Sequence, residues 1–307
     1  GISVTGVMKA TLGSPKVAKA LLQAGVHALG DSRIENIKTM RQMQITAPII
    51  LIRTPIPSQI DQIISCANIS VNTEIEVIKK LSVAAQRANV THSILLMIEL
   101  GDLREGVMPD QVENTVREIL KLPNIYLQGI GANLACRNGI SPDSKNMSEL
   151  SAIAFSIEDT FKIRLNIVSG GNSANLNWAL NDSIDVGRVN ELRLGESILL
   201  GLEPLENKPI PGLYIDTITL VSEVIESKIK PTQPWGDMGL TAFEKIETTA
   251  EQSFVSQSIL AVGHQDTDPK GLQAPLGINI VGASSDHLIV TAEKHRLNIG
   301  SEVRFQI

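Results

Sequence analysis

The alternation of short β-rich runs with longer segments of helical period constrains this chain more than any other feature of its sequence. In the first two hundred residues, apolar runs alternate with segments whose apolar residues recur every three or four positions. This pattern predicts βα units around a parallel sheet. About eight strands are expected, at Ile2–Met8, His27–Gly30, Ile49–Ile52, Ile69–Asn72, Ser93–Glu99, Ile125–Gly131, Leu165–Ser169 and Asn190–Leu194. Eight units close a (β/α)8 TIM-type barrel, so the predicted class is α/β.

The segments between these strands carry helix signals. Ser14 is placed to cap a helix that has Pro15 at its first position and Gly25 at its end. Thr73 and Glu76 have the spacing of a capping box. Each helix has one apolar face, as the outer ring of a barrel requires.

The pattern of apolar and helix-breaking residues changes after Leu202. Glu203-Pro204 and the run Lys208–Gly212 interrupt helix, and later segments alternate like half-buried strands. We therefore expect a barrel domain over residues 1–204 and a smaller, mainly β domain over residues 205–307. Strands of the second domain are expected at Ile215–Val221, Ser258–Val262, Ile278–Val281, Leu288–Ala292 and Glu302–Ile307.

Both ends of the sequence are abrupt. Gly1 leads directly into a predicted strand, and Ile307 ends inside another. A complete chain usually starts and stops in a polar surface segment, so these ends are typical of a fragment, although a naturally short chain also fits.

Composition excludes several classes of function. A net charge of −6 and 3% aromatic residues provide neither attraction nor stacking platforms for nucleic acid. No apolar run approaches the ~18 residues of a membrane span. Cys66 and Cys136 are too few for a disulfide framework, and the five histidines lack the spacing of a metal site. We therefore expect no nucleic-acid or membrane partner, no metal, and a cytoplasmic location.

Barrel enzymes react at the carboxyl ends of their strands, so polar residues there are the first candidates. Lys9 directly follows the first predicted strand. A desolvated amine at the rim of a dry barrel loses its proton more readily and can condense with an aldehyde. The alternative is a lysine that reaches past the strand into water.

Two turns have the composition of a phosphate site. Ser169–Ala174 joins a β-run to a helical run; its glycines let the backbone approach a ligand, and the following amides and hydroxyls suit an anion. Many such turns use Gly and Ser only for capping. The turn Arg193–Ser197 is similar and adds one cation.

Two further side chains follow predicted strands. The guanidinium of Arg104, in a loop between two glycines, is suited to clamp a carboxylate or to pair at the surface with Asp102 or Glu105. Cys136 is a candidate thiol acid or base, although a free cysteine is more often simply buried.

In their order along the chain, several of these residues resemble the fold-type III enzymes that depend on pyridoxal phosphate: Lys9, Arg104, Asn133, Asn172-Ser173 and Arg193–Gly195. Longer stretches resemble the ornithine racemase branch of the alanine racemase family, namely Val4–Lys9, Leu29–Asn36, Met97–Gly106 and Gly282–Leu288. The similarity covers most of the chain, and several motifs in one order are more specific than any single one.

The resemblance implies an amino-acid racemase that uses pyridoxal 5'-phosphate. Lys9 would hold the cofactor as a Schiff base, and Arg193 would face its pyridine nitrogen, which then stays unprotonated because a guanidinium keeps its proton. Arg104 matches a position near the phenolic oxygen or the substrate carboxylate. The residues implied to bind the cofactor are Lys9, Asn133, Gly171, Asn172, Ser173, Arg193, Gly195 and Glu196.

Racemisation requires a second acid or base on the opposite face of Cα. In alanine racemase this group is a tyrosine lent by the β domain of the partner subunit, but the matching stretch here, Pro231–Asp237, contains no tyrosine. The candidates are Cys136 and, in the second domain, Asp286 or His287. Ser285 is assigned with Arg104 to substrate binding.

We therefore expect a homodimeric racemase of a basic amino acid, with active sites shared between subunits. A carboxylate at the far end of the substrate would favour ornithine or lysine, and the candidates are Asp31, Glu35, Asp237 and Asp286. Two alternatives stay open: a decarboxylase or lyase on the same scaffold, and a non-catalytic protein that binds the cofactor.

Overall fold

Eight parallel strands close into a barrel in sequence order. The computed structural model describes residues 1–181, 183, 185–237, 253–293 and 296–307. The barrel strands are β1 (Ser3–Val7), β2 (Ala28–Asp31), β3 (Ile49–Leu51), β4 (Ile69–Asn72), β5 (His92–Met97), β6 (Ile125–Gly131), β7 (Ile167–Gly171) and β8 (Glu191–Leu194). Pairing of β1 with both β2 and β8 closes the ring. The predicted α/β barrel is therefore confirmed.

The helices lie between the strands in sequence. They are α1 (Pro15–Gln23), α2 (Ile34–Gln42), α3 (Ile60–Cys66), α4 (Ile75–Arg87), α5 (Val112–Ile119), α6 (Ser144–Phe161), α7 (Leu176–Ala179) and α8 (Glu196–Leu200). Ser14 occupies the N-cap of α1 with Pro15 after it, but its side chain makes no capping hydrogen bond. Within the described residues, no helix combines the length and apolar character that crossing a membrane demands.

The capping box predicted before α4 was wrong. The N-cap residue is Glu74, and its side chain makes no capping hydrogen bond. Because the helix begins one residue later than the box requires, the Thr73 hydroxyl instead lies 3.5 Å from the Thr54 hydroxyl. A capping box works only when the Ser or Thr is itself the N-cap.

Strand alternation sorts apolar side chains into two layers. One layer packs between strands and helices and includes Leu29, Ile49 and Ile94. The other lies inside the barrel, on the side of β2 to β5, and consists of Ala28, Ile50, Ile69, Val71, Leu95 and Met97. Full burial of an aliphatic side chain contributes about 1.5–3 kcal/mol, so both layers stabilise the ring.

Two charged residues of β8 also lie in the barrel interior. Arg193 is in register with Thr5, and Thr5 is in register with Ala28, a member of the interior layer. Residues in register share a face of the sheet, so Arg193 points into the barrel. Glu191, two residues earlier on the same strand, shares that face.

The second unit, Asp216–Ile307, is an antiparallel sheet. Its strands are β9 (Thr219–Pro231), β10 (Phe254–Leu260), β11 (Ile278–Ala283), β12 (Leu288–Ala292) and β13 (Glu302–Gln306), in the order β11-β12-β10-β9-β13. The sequence predicted a strand from Ile215 to Val221, which was wrong at both ends. The observed strand starts at Thr219 and continues to Pro231, through a segment in which charged residues flank buried Val224 and Ser227.

The first unit extends to Ile215. Leu202 bridges to Pro209, and the Glu203 carboxylate accepts three backbone N–H groups of the turn that follows it. Ile210 is buried. These contacts hold residues 205–215, which the change in composition assigns to the second domain, against the first unit.

A buried histidine lies in the barrel wall. The Nε2 atom of His92 is 2.9 Å from the Ser70 hydroxyl, and the Asn72 amide donates to the same hydroxyl at 3.0 Å. Burial lowers the pKa of His92 from 6.5 to about 4. The neutral imidazole is therefore the form that the fold accommodates.

We expect acid to destabilise the protein through His92. The unfolded chain takes up a proton near pH 6.5, and the folded protein takes it up only near pH 4, so stability present above pH 6.5 is lost as the pH falls towards 4. Between pH 7 and pH 5, the wild type should lose about 2 kcal/mol more unfolding free energy than His92→Gln. Urea unfolding at both pH values measures this, with exposed His27→Gln as control. Parallel pH dependences of wild type and His92→Gln would contradict the assignment.

Candidate active site

Lys9 lies just beyond the carboxyl end of β1. It opens the 3-10 turn Lys9–Thr11, directly after Met8, whose N–H donates to the Gly30 carbonyl at 2.7 Å. The sequence-based expectation of a desolvated amine was wrong for this structure, since Lys9 is exposed. The 3-10 turn carries it past the fully buried Met8 to the barrel mouth, where its amine is accessible.

Asn172 joins the turn after β7 to the turn after β6. Its side-chain amide donates to the Leu134 carbonyl at 2.7 Å and to Asn133 Oδ1 at 3.1 Å, and its own Oδ1 accepts the Ala174 N–H at 2.9 Å. Gly171 has a φ of +142°, and a Cβ there would lie 2.3 Å from an Asn175 side-chain oxygen. Only glycine fits this tight turn.

Ser173 is the point where the turns after β7 and β8 meet. Its Oγ accepts the Gly195 N–H at 3.2 Å, the Ser197 N–H at 3.1 Å and the Ser197 hydroxyl at 3.1 Å. These donors converge on a neutral hydroxyl, and backbone N–H groups at such a turn are of the kind that holds an anion. Sequence analysis did not single out Ser197, and it placed the second amide at Glu196, whose side chain is exposed.

Arg193 is buried beside this turn. Its Nη2 donates to the Ala132 carbonyl at 2.7 Å, its Nη1 donates to the Ser169 hydroxyl, and Glu191 lies 3.8 Å away. Burial lowers the pKa of Arg193, and the negative charge of Glu191 partly offsets that effect. The guanidinium thus joins the carboxyl ends of β6, β7 and β8.

The loop that carries Arg104 is built on a buried carboxylate. Glu99 accepts the N–H groups of Gly101 at 2.6 Å, Leu103 at 3.0 Å and Arg104 at 3.2 Å. A Cβ at Gly106 would lie 2.3 Å from the Glu99 nitrogen, so the loop closes tightly on itself. Sequence analysis included Glu99 in a motif and gave it no role. The available signal was an acid at the carboxyl end of a predicted strand, two residues before a glycine.

The guanidinium of Arg104 pairs with Glu105, with Nη2 and Oε1 2.6 Å apart. Burial lowers the pKa of Arg104, but the hydrogen bond and charge of Glu105 outweigh this and raise it. Asp102, the other partner considered, instead accepts the backbone N–H groups of Arg137 and Asn138, each at 3.0 Å. It ties the loops after β5 and β6 together.

Cys136 lies within this cluster, exposed at the mouth. Its Sγ accepts the side-chain amides of Asn133 at 3.2 Å and Asn172 at 3.3 Å. Cys136 thus lies near the guanidinium groups of Arg104 and Arg193. The structure therefore brings together cations, amides and a thiol that lie far apart in the sequence.

In the second unit, Ser285 and Asp286 are exposed in the loop between β11 and β12. Asp286 Oδ1 lies 2.8 Å from His287 Nδ1 and accepts the Ser285 hydroxyl at 3.3 Å, and the bond with His287 lowers the pKa of Asp286. A Cβ at Gly263 would lie 2.5 Å from the Asp286 nitrogen, so an adjacent backbone segment braces the loop.

Two acids proposed for the far end of a substrate, at the end of β2 and in the first turn of α2, already have hydrogen-bond partners. Asp31 accepts the Arg33 N–H at 2.9 Å and the Asn36 amide at 3.1 Å, and burial raises its pKa. Glu35 accepts the Gln59 amide at 2.7 Å. Asp237 is exposed.

Tyr126 lies apart from the candidate residues. Tyr126 is at the amino end of β6, the opposite edge of the barrel from Lys9, and its hydroxyl accepts the Asn166 amide at 2.8 Å. Tyr214 is exposed near the end of the first unit. Among the residues with described positions, no cluster of His, Cys, Asp or Glu could hold a metal ion.

Comparison with known proteins places this arrangement in context. The family model described as alanine racemase, N-terminal domain, matches residues 2–204. The chain is 36% identical over 293 residues to ornithine racemase of Acetoanaerobium sticklandii, covering 94% of this chain and 82% of the relative. It is 34% identical over 309 residues to lysine racemase of Thermotoga maritima, covering 100% and 86%.

Solved structures share the fold. Alanine racemase of Clostridium difficile superposes with a TM-score of 0.71 at 19% identity, covering 100% of this chain and 80% of that chain. D-threonine aldolase of Filomicrobium marinum gives a TM-score of 0.74 at 15% identity, covering 99% and 79%. At these identities the likeness concerns architecture.

We expect Glu99→Gln to loosen the loop that positions Arg104. A glutamine presents one acceptor oxygen and one NH2 group to three N–H donors, so at least one donor is left without a partner. Loss of hydrogen bonds to a buried carboxylate should cost about 2–3 kcal/mol of unfolding free energy. Urea unfolding measures this, and limited proteolysis should show faster cleavage at Arg104. Glu118→Gln, on an exposed helical face, is the control; equal stability of both variants would refute the role of Glu99.

Proposed function

This chain belongs to the alanine racemase family, and from that premise we propose that it is a pyridoxal-phosphate-dependent racemase of a basic amino acid, ornithine or lysine. The observation that carries the proposal is the convergence of the Gly195 and Ser197 donors on Ser173 at the barrel edge that also holds Lys9 and Arg193. The names of the ornithine and lysine racemases among its relatives support the substrate class.

The residues present fit the cofactor. The donors around Ser173 suit its phosphate, and Gly171 keeps that turn free of a side chain. Arg193 has five N–H groups, and two described bonds leave donors for the ring nitrogen. Lys9 supplies an accessible amine.

Pyridoxal phosphate, when bound, supplies an aldehyde that links to amines and a conjugated ring that stabilises negative charge at Cα. The rest of the chemistry belongs to the chain. Lys9 anchors the group and moves a proton on one face of Cα. Arg193 donates a hydrogen bond without giving up its proton, and Arg104 binds the substrate carboxylate at the mouth.

We propose Cys136 as the acid or base on the opposite face. Its sulfur accepts the side-chain amides of Asn133 and Asn172 and lies near the cations Arg104 and Arg193. Reactive cysteines lie in exposed, electropositive surroundings of this kind. A thiol that gains and loses a proton in this setting meets the requirement of racemisation for a second group. Asp286 is the other candidate.

The proposal includes a homodimer with shared active sites, as the family resemblance implies. The exposed Ser285 and Asp286 would then act from the partner subunit's second unit, Ser285 on the substrate. A cytoplasmic location is also part of the proposal, supported by the two free cysteines.

The deciding experiment is incubation of the enzyme with L-ornithine, L-lysine or L-alanine in heavy water. We expect deuterium at Cα together with loss of optical rotation. Both should be faster with ornithine or lysine than with alanine. Release of carbon dioxide or of an olefinic product would identify a decarboxylase or lyase. Binding of the cofactor without exchange in any substrate would identify a binding protein.

We expect Lys9→Ala to lose the visible absorbance of the bound cofactor and more than ~10³-fold of the turnover, because no other residue is proposed as its anchor. Absorbance spectra and racemisation rates measure the effect. Lys16→Ala, an exposed lysine on α1, should behave as wild type. Retention of both signals in Lys9→Ala would show that the anchor is misassigned.

Cys136→Ser should separate the two faces of the reaction. Exchange of the Cα proton with solvent should persist for one enantiomer, because Lys9 still moves the proton on its face of Cα. Inversion should slow about 10²–10⁴-fold. Cys66→Ser, the other free cysteine, is the matched control. Unchanged rates from both enantiomers would clear Cys136 and leave Asp286.

A further inference from the structure

Glu191 is a buried carboxylate that the proposed chemistry does not use. Only 3% of the residue is exposed, and neither side-chain oxygen has a hydrogen-bond partner. Its one described polar contact is the ion pair with Arg193, at 3.8 Å. Burial of a carboxylate costs several kcal/mol unless a charge compensates it, so Arg193 is the partner that accounts for this residue.

Two of the five N–H groups of Arg193 are engaged by other strands. The Ala132 carbonyl and the Ser169 hydroxyl accept them. Because 3.8 Å is too long for a hydrogen bond, Glu191 acts on Arg193 through its charge. Removal of its charge would leave a cation in a barrel whose opposite interior half is apolar.

Arg193 and Glu191 lie at different depths of the barrel interior. Glu191 precedes Arg193 by two strand positions, roughly 6–7 Å deeper in the barrel. At that depth it lies beneath Arg193, away from the mouth.

We propose that Glu191 is a positioning residue that neutralises the charge of Arg193 and anchors its guanidinium from the deeper side of the barrel. The inference rests on the proposed function, in which Arg193 faces the ring nitrogen of the cofactor. The ring then meets a hydrogen-bond donor from a pair with no net charge, and its electrons are withdrawn less than by a lone cation.

The first test uses the cofactor-free protein. Urea unfolding of Glu191→Gln, Arg193→Gln and the double variant forms a double-mutant cycle. Each single variant should lower the unfolding midpoint, and the double variant should lower it by less than the sum of the two. An additive double variant would show that the two charges are not coupled and would overturn the inference.

The second test reads the cofactor itself. In Glu191→Gln the visible absorption band of bound pyridoxal phosphate should shift, and kcat should fall about tenfold with KM within about threefold. Glu191→Asp, which keeps the charge, should restore the band towards that of the wild type. Glu158→Gln breaks the matched pair with Arg188, 2.6 Å apart and outside the barrel, and should leave band, kcat and KM unchanged.

The outcomes separate this inference from the proposed function. If the wild type binds no pyridoxal phosphate, the proposed function fails and the role of Glu191 fails with it. If the wild type binds and racemises while Glu191→Gln has the same band and kcat, only the inference fails. If the double-mutant cycle shows coupling but the absorption band of the cofactor is unchanged in Glu191→Gln, Glu191 is a structural residue only, and the inference is overturned.

Discussion

The buried guanidinium of Arg193 is the interaction on which the polar half of the barrel depends. It joins β6 through Ala132, β7 through Ser169 and β8 through Glu191. A desolvated cation is tolerated only where acceptors and a counter-charge are present, and Ala132, Ser169 and Glu191 supply them. The barrel is therefore asymmetric, with an apolar lining on β2 to β5 and a charged one on β8.

Hydrogen bonds between side chains and the loop backbone organise the barrel mouth. Glu99 collects three N–H groups of its own loop, Asp102 two of the next loop, and Asn172 bridges the turns after β6 and β7. Irregular backbone held in this way costs little reorganisation when a ligand arrives. Such preorganisation is what catalysis requires of positioning groups.

Prediction succeeded where the signal was local. The strands Ile69–Asn72, Ile125–Gly131 and Leu288–Ala292 were predicted to the residue, because an apolar run bounded by turn residues specifies a strand without help from distant segments. It failed at Thr73, where a match to the capping pattern does not establish which residue is the N-cap. It failed also at Lys9, whose exposure depends on the 3-10 turn after β1.

By itself, the sequence determined the architecture and the chemical types available at the mouth, because periodicity and residue type are properties of short segments. Only the tertiary structure decided which of those residues act together. Ser197 donates to Ser173, and Asp102 accepts the Arg137 N–H. Glu191 pairs with Arg193 inside a barrel whose other side is apolar, an environment that forms only when the ring closes. Such pairings rest on contacts between distant segments, whose strength depends on burial, and burial exists only once the barrel has closed.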